Sequence, residues 1–272
     1  MTDEQYILHK IAHFSEKYEA DCLNSEKHSL LSNWEALRTD WWLGFRFFLN
    51  RAFMQGRRDS VSVQFLKATN KALATLLPLD INMIERSALI FQWYTKGWLC
   101  LCNKDNNPIK KALHEEYPID MNGKSKDSIT GKARDCEMVL DIFRFICEKK
   151  SAEGQILNIA AYAAECIEAG NTEKAHKELD EIWQIGPKIA AFFLRDLATV
   201  LQLKPVPRDY RFLQPVDTWV GQIADKLNIH ADKLVDACQS AGVDPIRFNQ
   251  GAWYLGKHSL DLLLENLDGK NH

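Results

Sequence analysis

Between Pro187 and Leu203 the apolar residues Ile189, Phe192, Phe193, Leu197, Val200 and Leu201 recur every three or four positions. That spacing forms one stripe on a helix, but would scatter over both faces of a strand. The same period runs through most of the chain. It predicts helices near 3–22, 28–55, 60–77, 81–102, 134–149, 153–169, 172–183, 187–203, 217–228, 230–241 and 244–267. Asp244-Pro245 reads as an N-cap followed by proline at the first helical position. Period-2 alternation is almost absent, so the expected fold class is all-α.

Two segments interrupt the pattern. Asn103–Arg134 is polar and rich in Lys, Asn and Asp, and is expected to be an exposed excursion with a short helix. Leu203–Pro215 carries Pro205, Pro207 and Pro215, too many prolines for a helix interior, and joins two helical blocks. With 272 residues, 46% of them hydrophobic, the chain can bury a sizeable core. Two helical lobes are expected. One is a barrel over 36–203, and the other combines 1–35 with 204–272. Asn122-Gly123-Lys124-Ser125 is not a phosphate loop, because Pro118 stands where the first glycine belongs.

The formal net charge is −3, so a nucleic-acid partner would require local positive charge. Seven cysteines are present with no CxxC pair. That argues against a disulfide framework or structural zinc and for a reducing compartment. No run of about 18 apolar residues suggests a membrane span, and the charged N-terminal segment does not resemble a signal peptide. A cytoplasmic monomer is expected, with no metal and no cofactor. His230 and His258 have no partner at metal-ligand spacing.

The stretch IWQIGPKIAAFFLRD, Ile182–Asp196, places a short turn before the helix that opens at Pro187. Pro187 suits a first helical turn, where a missing N–H costs nothing. Gly186 offers a backbone that can take positive φ and come close to a ligand. The amides around Gln184, Ile185 and Gly186, backed by a helix N-terminus, suit a phosphate. Ile182 and Ile185 are expected to face inward and lock the two helices. Beyond the proline-rich joint, Val216-Asp217-Thr218 opens another helix, with Asp217 as a natural N-cap.

Hairpin and Pro215-Val216-Asp217-Thr218 together resemble the helix-hairpin-helix DNA glycosylase superfamily. Its signature is a hairpin of the form LPGIGPKTA followed by a PVDTHV-like segment. The superfamily includes endonuclease III, the adenine glycosylase, 3-methyladenine glycosylase II and the 8-oxoguanine glycosylases. The resemblance covers about 36–73 and 155–260. It implies that Lys188 is the catalytic lysine of lyase-active members and Asp217 the catalytic aspartate. Met54-Gln55 matches the pair that ends the family's early helix, whose polar residue fills the space of an extruded base. Arg57 and Arg58 supply positive charge beside it. Trp253, in FNQGAWYLGKH, resembles an element of the 8-oxoguanine branches. It is a candidate to stack on the base, with Gln250 or Asn249 at the base edge. Only Cys238 follows Asp217, which excludes the iron–sulfur cluster of endonuclease III. The 29 residues from Lys188 to Asp217 resemble the archaeal 8-oxoguanine branch.

The implied partner is duplex DNA carrying a modified base, with 8-oxoguanine the first substrate to test. A monofunctional glycosylase for another base, or a catalytically inactive DNA-binding protein with the same hairpin, are the alternatives.

Overall fold

A computed structural model describes residues 2–25, 33–55, 59–76, 108–117, 126–149 and 157–268. These residues are mostly helical, and no strand occurs among them. No helix among them is long and apolar enough to cross a membrane. The helix expected over 81–102, with Trp93 and Trp98, lies outside the described residues.

Helix α1 (Asp3–His13) begins at a capping box: Thr2 accepts from the Gln5 amide, and the Gln5 side chain accepts from the Thr2 amide. The helix expected over 3–22 is broken after His13. It continues as α2 (Ser15–Tyr18) and a π-helical turn, Glu19–Leu23. The helix expected over 28–55 is also divided. Asp40, with φ −99° and ψ 111°, separates α3 (Ala36–Thr39) from α4 (Trp41–Ala52). Its carboxylate accepts from the Leu43 amide at 3.0 Å, so a local cap overrides the continuous apolar pattern. Trp42 is buried, and Trp41 packs part-buried against the same core.

Then come α5 (Asp59–Leu76), α6 (Pro108–Glu116) and α7 (Lys126–Glu148). Here the exposed excursion expected at 103–134 is corrected. Ile109, Leu113 and Tyr117 are buried. The Tyr117 ring meets Phe65 edge-on at 5.0 Å, and its hydroxyl lies 2.9 Å from Thr69 Oγ1. Three apolar residues at i, i+4 and i+8 suffice to dock a helix, although polar neighbours outnumber them. α7 begins at Lys126, inside that segment, rather than near 134.

Five further helices precede the C-terminal one among the described residues. α8 (Ile159–Glu168) is capped by Asn158, which accepts from the Ala161 amide and donates to the carbonyls of Leu37 and Arg38. α9 (Thr172–Asp180) packs on α10 (Pro187–Val200). The proline-rich joint holds a 3-10 turn, Pro207–Leu213. α11 (Thr218–Lys226) and α12 (Leu234–Ser240) lead to α13 (Pro245–Asp268), with Asp244 accepting from the Ile246 amide at 2.8 Å.

Buried apolar residues form two clusters. The larger draws on α4 to α10, including Ile189, Phe193 and Leu197 of the predicted stripe. The smaller joins Leu8 and Ile11 of α1 to Val220 and Ile223 of α11 and to Phe248 and Leu255 of α13. Trp253 packs part-buried against both. Close approach makes the second cluster possible. A Cβ at Gly251 would stand 1.9 Å from the Ile11 carbonyl oxygen, and one at Gly256 2.3 Å from the Trp219 Cβ.

Candidate functional site

The turn between α9 and α10 runs from Glu181 to Gly186. Ile182 and Ile185 point inward and are buried in the larger core. The turn is closed by the Ile185 amide, which donates to the Ile182 carbonyl at 2.8 Å. Its backbone departs from the sequence expectation at two places. Gly186 has φ −91° and ψ 174° and caps α10 as ordinary extended backbone. Gln184, not the glycine, takes the left-handed conformation, with φ 67°. Gln184 occupies the position of the first glycine in the LPGIGPKTA form, the one place in the turn where positive φ is needed.

The glycine at 186 serves a different purpose. A Cβ there would meet nothing within 4 Å, so the surface above it is open to a close-approaching group. The phosphate-ready amides also change. Ile185 has spent its N–H inside the turn, and Pro187 has none. The amides of Gly186 and Lys188 have no acceptor among the described residues. Two N–H groups at the start of a helix, beside an open glycine, suit an anionic oxygen.

Gln55 reaches this turn from the other side of the sequence. Past the end of α4, its Nε2 donates to the Gln184 carbonyl at 3.1 Å and lies 2.9 Å from Met138 Sδ. The Gln184 side-chain oxygen in turn accepts from Arg134, with Nε at 3.0 Å and the terminal nitrogen also bonded. Gln55, Gln184 and Gly186 therefore lie together. Arg134 joins them as an exposed cation that sequence analysis did not single out, its only signal being a basic residue in a polar segment. Arg57 and Arg58 lie outside the described residues.

Lys188 is half-buried in the first turn of α10, and its amine has no hydrogen-bond or ion-pair partner among the described residues. Next to it, the carbonyl of Pro187 accepts from His176 Nε2 at 3.1 Å, and the His176 ring packs against Phe212 at 5.6 Å. Burial lowers the His176 pKa below the ordinary histidine value, against the opposing effect of the bond to Pro187.

Asp217 is the N-cap of α11. Its Oδ1 accepts from the amides of Trp219 and Val220, both at 3.0 Å. Its Oδ2 has no partner among the described residues. Asp217 and Lys188 do not form an ion pair.

The base-pocket candidates separate. Asn249 is fully buried, and both ends of its amide are used internally. Its Oδ1 accepts from Arg195 at 2.7 Å and its Nδ2 donates to the Pro215 carbonyl at 3.3 Å. Gln250 donates to Thr199 Oγ1 at 2.9 Å, while its buried Oε1 lacks a partner. Trp253, one helical turn along, is half-buried. It presents its ring to Tyr18 edge-on at 5.5 Å, and Lys257 Nζ lies 4.7 Å from its centre.

Behind these residues lies a sealed polar network that the sequence did not announce. Asp196 accepts from Tyr18 at 2.9 and 2.8 Å, from Arg51 Nε at 3.0 Å and from Arg195 Nε at 3.0 Å. Arg195 also donates to the Tyr18 hydroxyl at 2.5 Å. Burial holds the Tyr18 pKa well above the ordinary tyrosine value, with Arg195 acting in the opposite direction. The network ties α2, α4, α10 and α13 together.

Among the described residues no group of three His, Cys, Asp or Glu side chains could hold a metal ion. No family model, curated protein or solved structure matches the chain.

Proposed function

We propose that this chain is a two-lobed DNA glycosylase that excises a modified base and cuts the strand through a Schiff base at Lys188. The observation that carries the reading is the meeting of Gln55 with Gln184 at a turn whose Gly186 is open and whose Gly186 and Lys188 amides are unspent. The amides would hold a backbone phosphate without reading sequence. Gln55, with the support of Gln184, would fill the gap left by the extruded nucleotide.

Chemistry is assigned to Lys188 and Asp217, each of which has an unused polar atom. Cleavage of the N-glycosidic bond builds positive charge on the sugar, which the free Oδ2 of Asp217 would stabilise. The Lys188 amine, once deprotonated, forms a bond to C1′ as the base departs with the bonding electrons, and Asp217 takes the proton. Opening of the sugar gives the Schiff base, and loss of a C2′ proton expels the 3′ phosphate. Trp253 and the partnerless Oε1 of Gln250 are the base-reading pair. An acceptor fits 8-oxoguanine, whose N7 carries a hydrogen that guanine lacks. Asn249, committed on both sides, is left to structure.

A second reading is a catalytically silent DNA-binding protein of the same shape. It is favoured by the capping bonds of Asp217, which account for that residue without catalysis.

Borohydride trapping separates the two. Duplexes carrying 8-oxoguanine, an oxidised pyrimidine, uracil, an alkylated purine or an abasic site are incubated with wild type, Lys188→Gln and Asp217→Asn. The expected result is a covalent band, strongest with 8-oxoguanine, that is lost in Lys188→Gln. Base release without trapping makes the enzyme monofunctional. Salt-sensitive binding without release or trapping favours the silent reading.

A further inference from the structure

Trp183 has 54% of its surface exposed, against 43% for Val216 and 40% for Tyr6. Its backbone is nonetheless firmly held. The Trp183 amide donates to Asp141 Oδ2 at 2.7 Å, and Asp141 is itself paired with Arg144 at 2.6 Å. The next residue, Gln184, is gripped by Gln55 through its carbonyl and by Arg134 through its side chain. The indole thus stands bare on a fixed turn, with a cation one residue along and the unspent amides of Gly186 and Lys188 just beyond.

Leaving a tryptophan in water forgoes the stabilisation its burial would give. Fixing its main chain lowers the ordering cost of a contact made with it. An aromatic face beside Arg and free amides matches nucleic-acid surfaces that stack on a base while gripping the adjoining backbone. A protein-binding tryptophan would not call for phosphate-ready amides two and four residues beyond Gln184.

We propose that Trp183 stacks on a nucleobase of the strand whose phosphate the Gly186 and Lys188 amides hold. This contact rests on the DNA-binding reading above. It is indifferent to sequence, since every base offers a face, and it is separate from recognition of the modified base at Trp253.

The test uses the full chain and a duplex containing a tetrahydrofuran abasic analogue, with 2-aminopurine walked through the neighbouring positions. Trp183→Ala is expected to weaken binding about tenfold and to abolish the fluorescence quench at one or two adjacent positions. Its salt dependence should match wild type, since no charge is removed. Trp183→Phe should retain most of the affinity and the quench. If Trp183→Ala binds and quenches as wild type does, the stacking proposal fails and the DNA reading stands. If wild type binds no duplex, both fail. If Trp183→Ala alters self-association while leaving DNA binding intact, the indole belongs to a protein interface and the proposal is overturned.

Discussion

The Asp196 carboxylate and the Gln55 side-chain amide each join segments more than a hundred residues apart in sequence. Their surroundings differ. Asp196 lies fully buried, surrounded by Tyr18, Arg51 and Arg195. Gln55 lies half-buried on a turn beside an exposed arginine and an unfilled surface. In the first region every polar contact is turned inward, so its worth is structural. In the second, donors at Gly186 and Lys188 are left over. Unspent donors on a fixed backbone are what a ligand can use, and this contrast locates the candidate site better than charge or burial alone.

The contrast can be broken most sharply at Asp196. Asp196→Ala leaves two buried guanidinium groups without their carboxylate and is expected to cost about 3–5 kcal/mol of stability, read by urea denaturation. A loss below about 1 kcal/mol would mean that water reaches the network, and the inner region would not be sealed.

A pair of glycines gives the next largest effect. Gly251→Ala drives a methyl group against the Ile11 backbone and should cost about 1–3 kcal/mol. Gly186→Ala should leave the melting temperature unchanged, because its Cβ meets nothing and its φ is ordinary. If the turn holds DNA as proposed, the same substitution should weaken that binding by obstructing the approach to the amides. Equal binding by Gly186→Ala and wild type would remove the turn from the interface.

The smallest effect is pH-dependent and belongs to the outer region. His176 has a lowered pKa in the folded chain, so the unfolded chain takes up this proton first as pH falls. Its contribution to stability is therefore complete above about pH 6.5 and declines below it. His176→Gln should flatten the fall in melting temperature between pH 7 and 5. An unchanged slope would place the acid sensitivity elsewhere.

Much of the architecture could be read from local pattern. The stripe on α10, the inward pair Ile182 and Ile185, and the Asp244 cap depend on near neighbours in sequence, and all occur where the pattern puts them. What could not be read depends on distant partners. Nothing in the local pattern around Arg195 and Asp196 marks them as buried. They are buried because Tyr18, Arg51 and Asn249 arrive from far along the chain. Asn249 belongs to this network, which is why its side chain is unavailable to a base. The docking of α6 was hidden for a related reason, since three apolar residues among many polar ones carry a weak periodic signal. At the turn, the glycine drew attention to 186, whereas the left-handed backbone lies at Gln184.

The seating of α1 on α13 has a consequence for biosynthesis. His9 bonds to the Ala241 carbonyl across 232 residues, and Gly251 lies directly on Ile11. The second cluster therefore cannot close until α13 has left the ribosome. At typical elongation speeds α1 waits roughly ten seconds or more with its apolar face unburied. Throughout that interval the nascent chain offers chaperones a hydrophobic helix, and a ribosome stalled before α13 would release a product with that face still exposed.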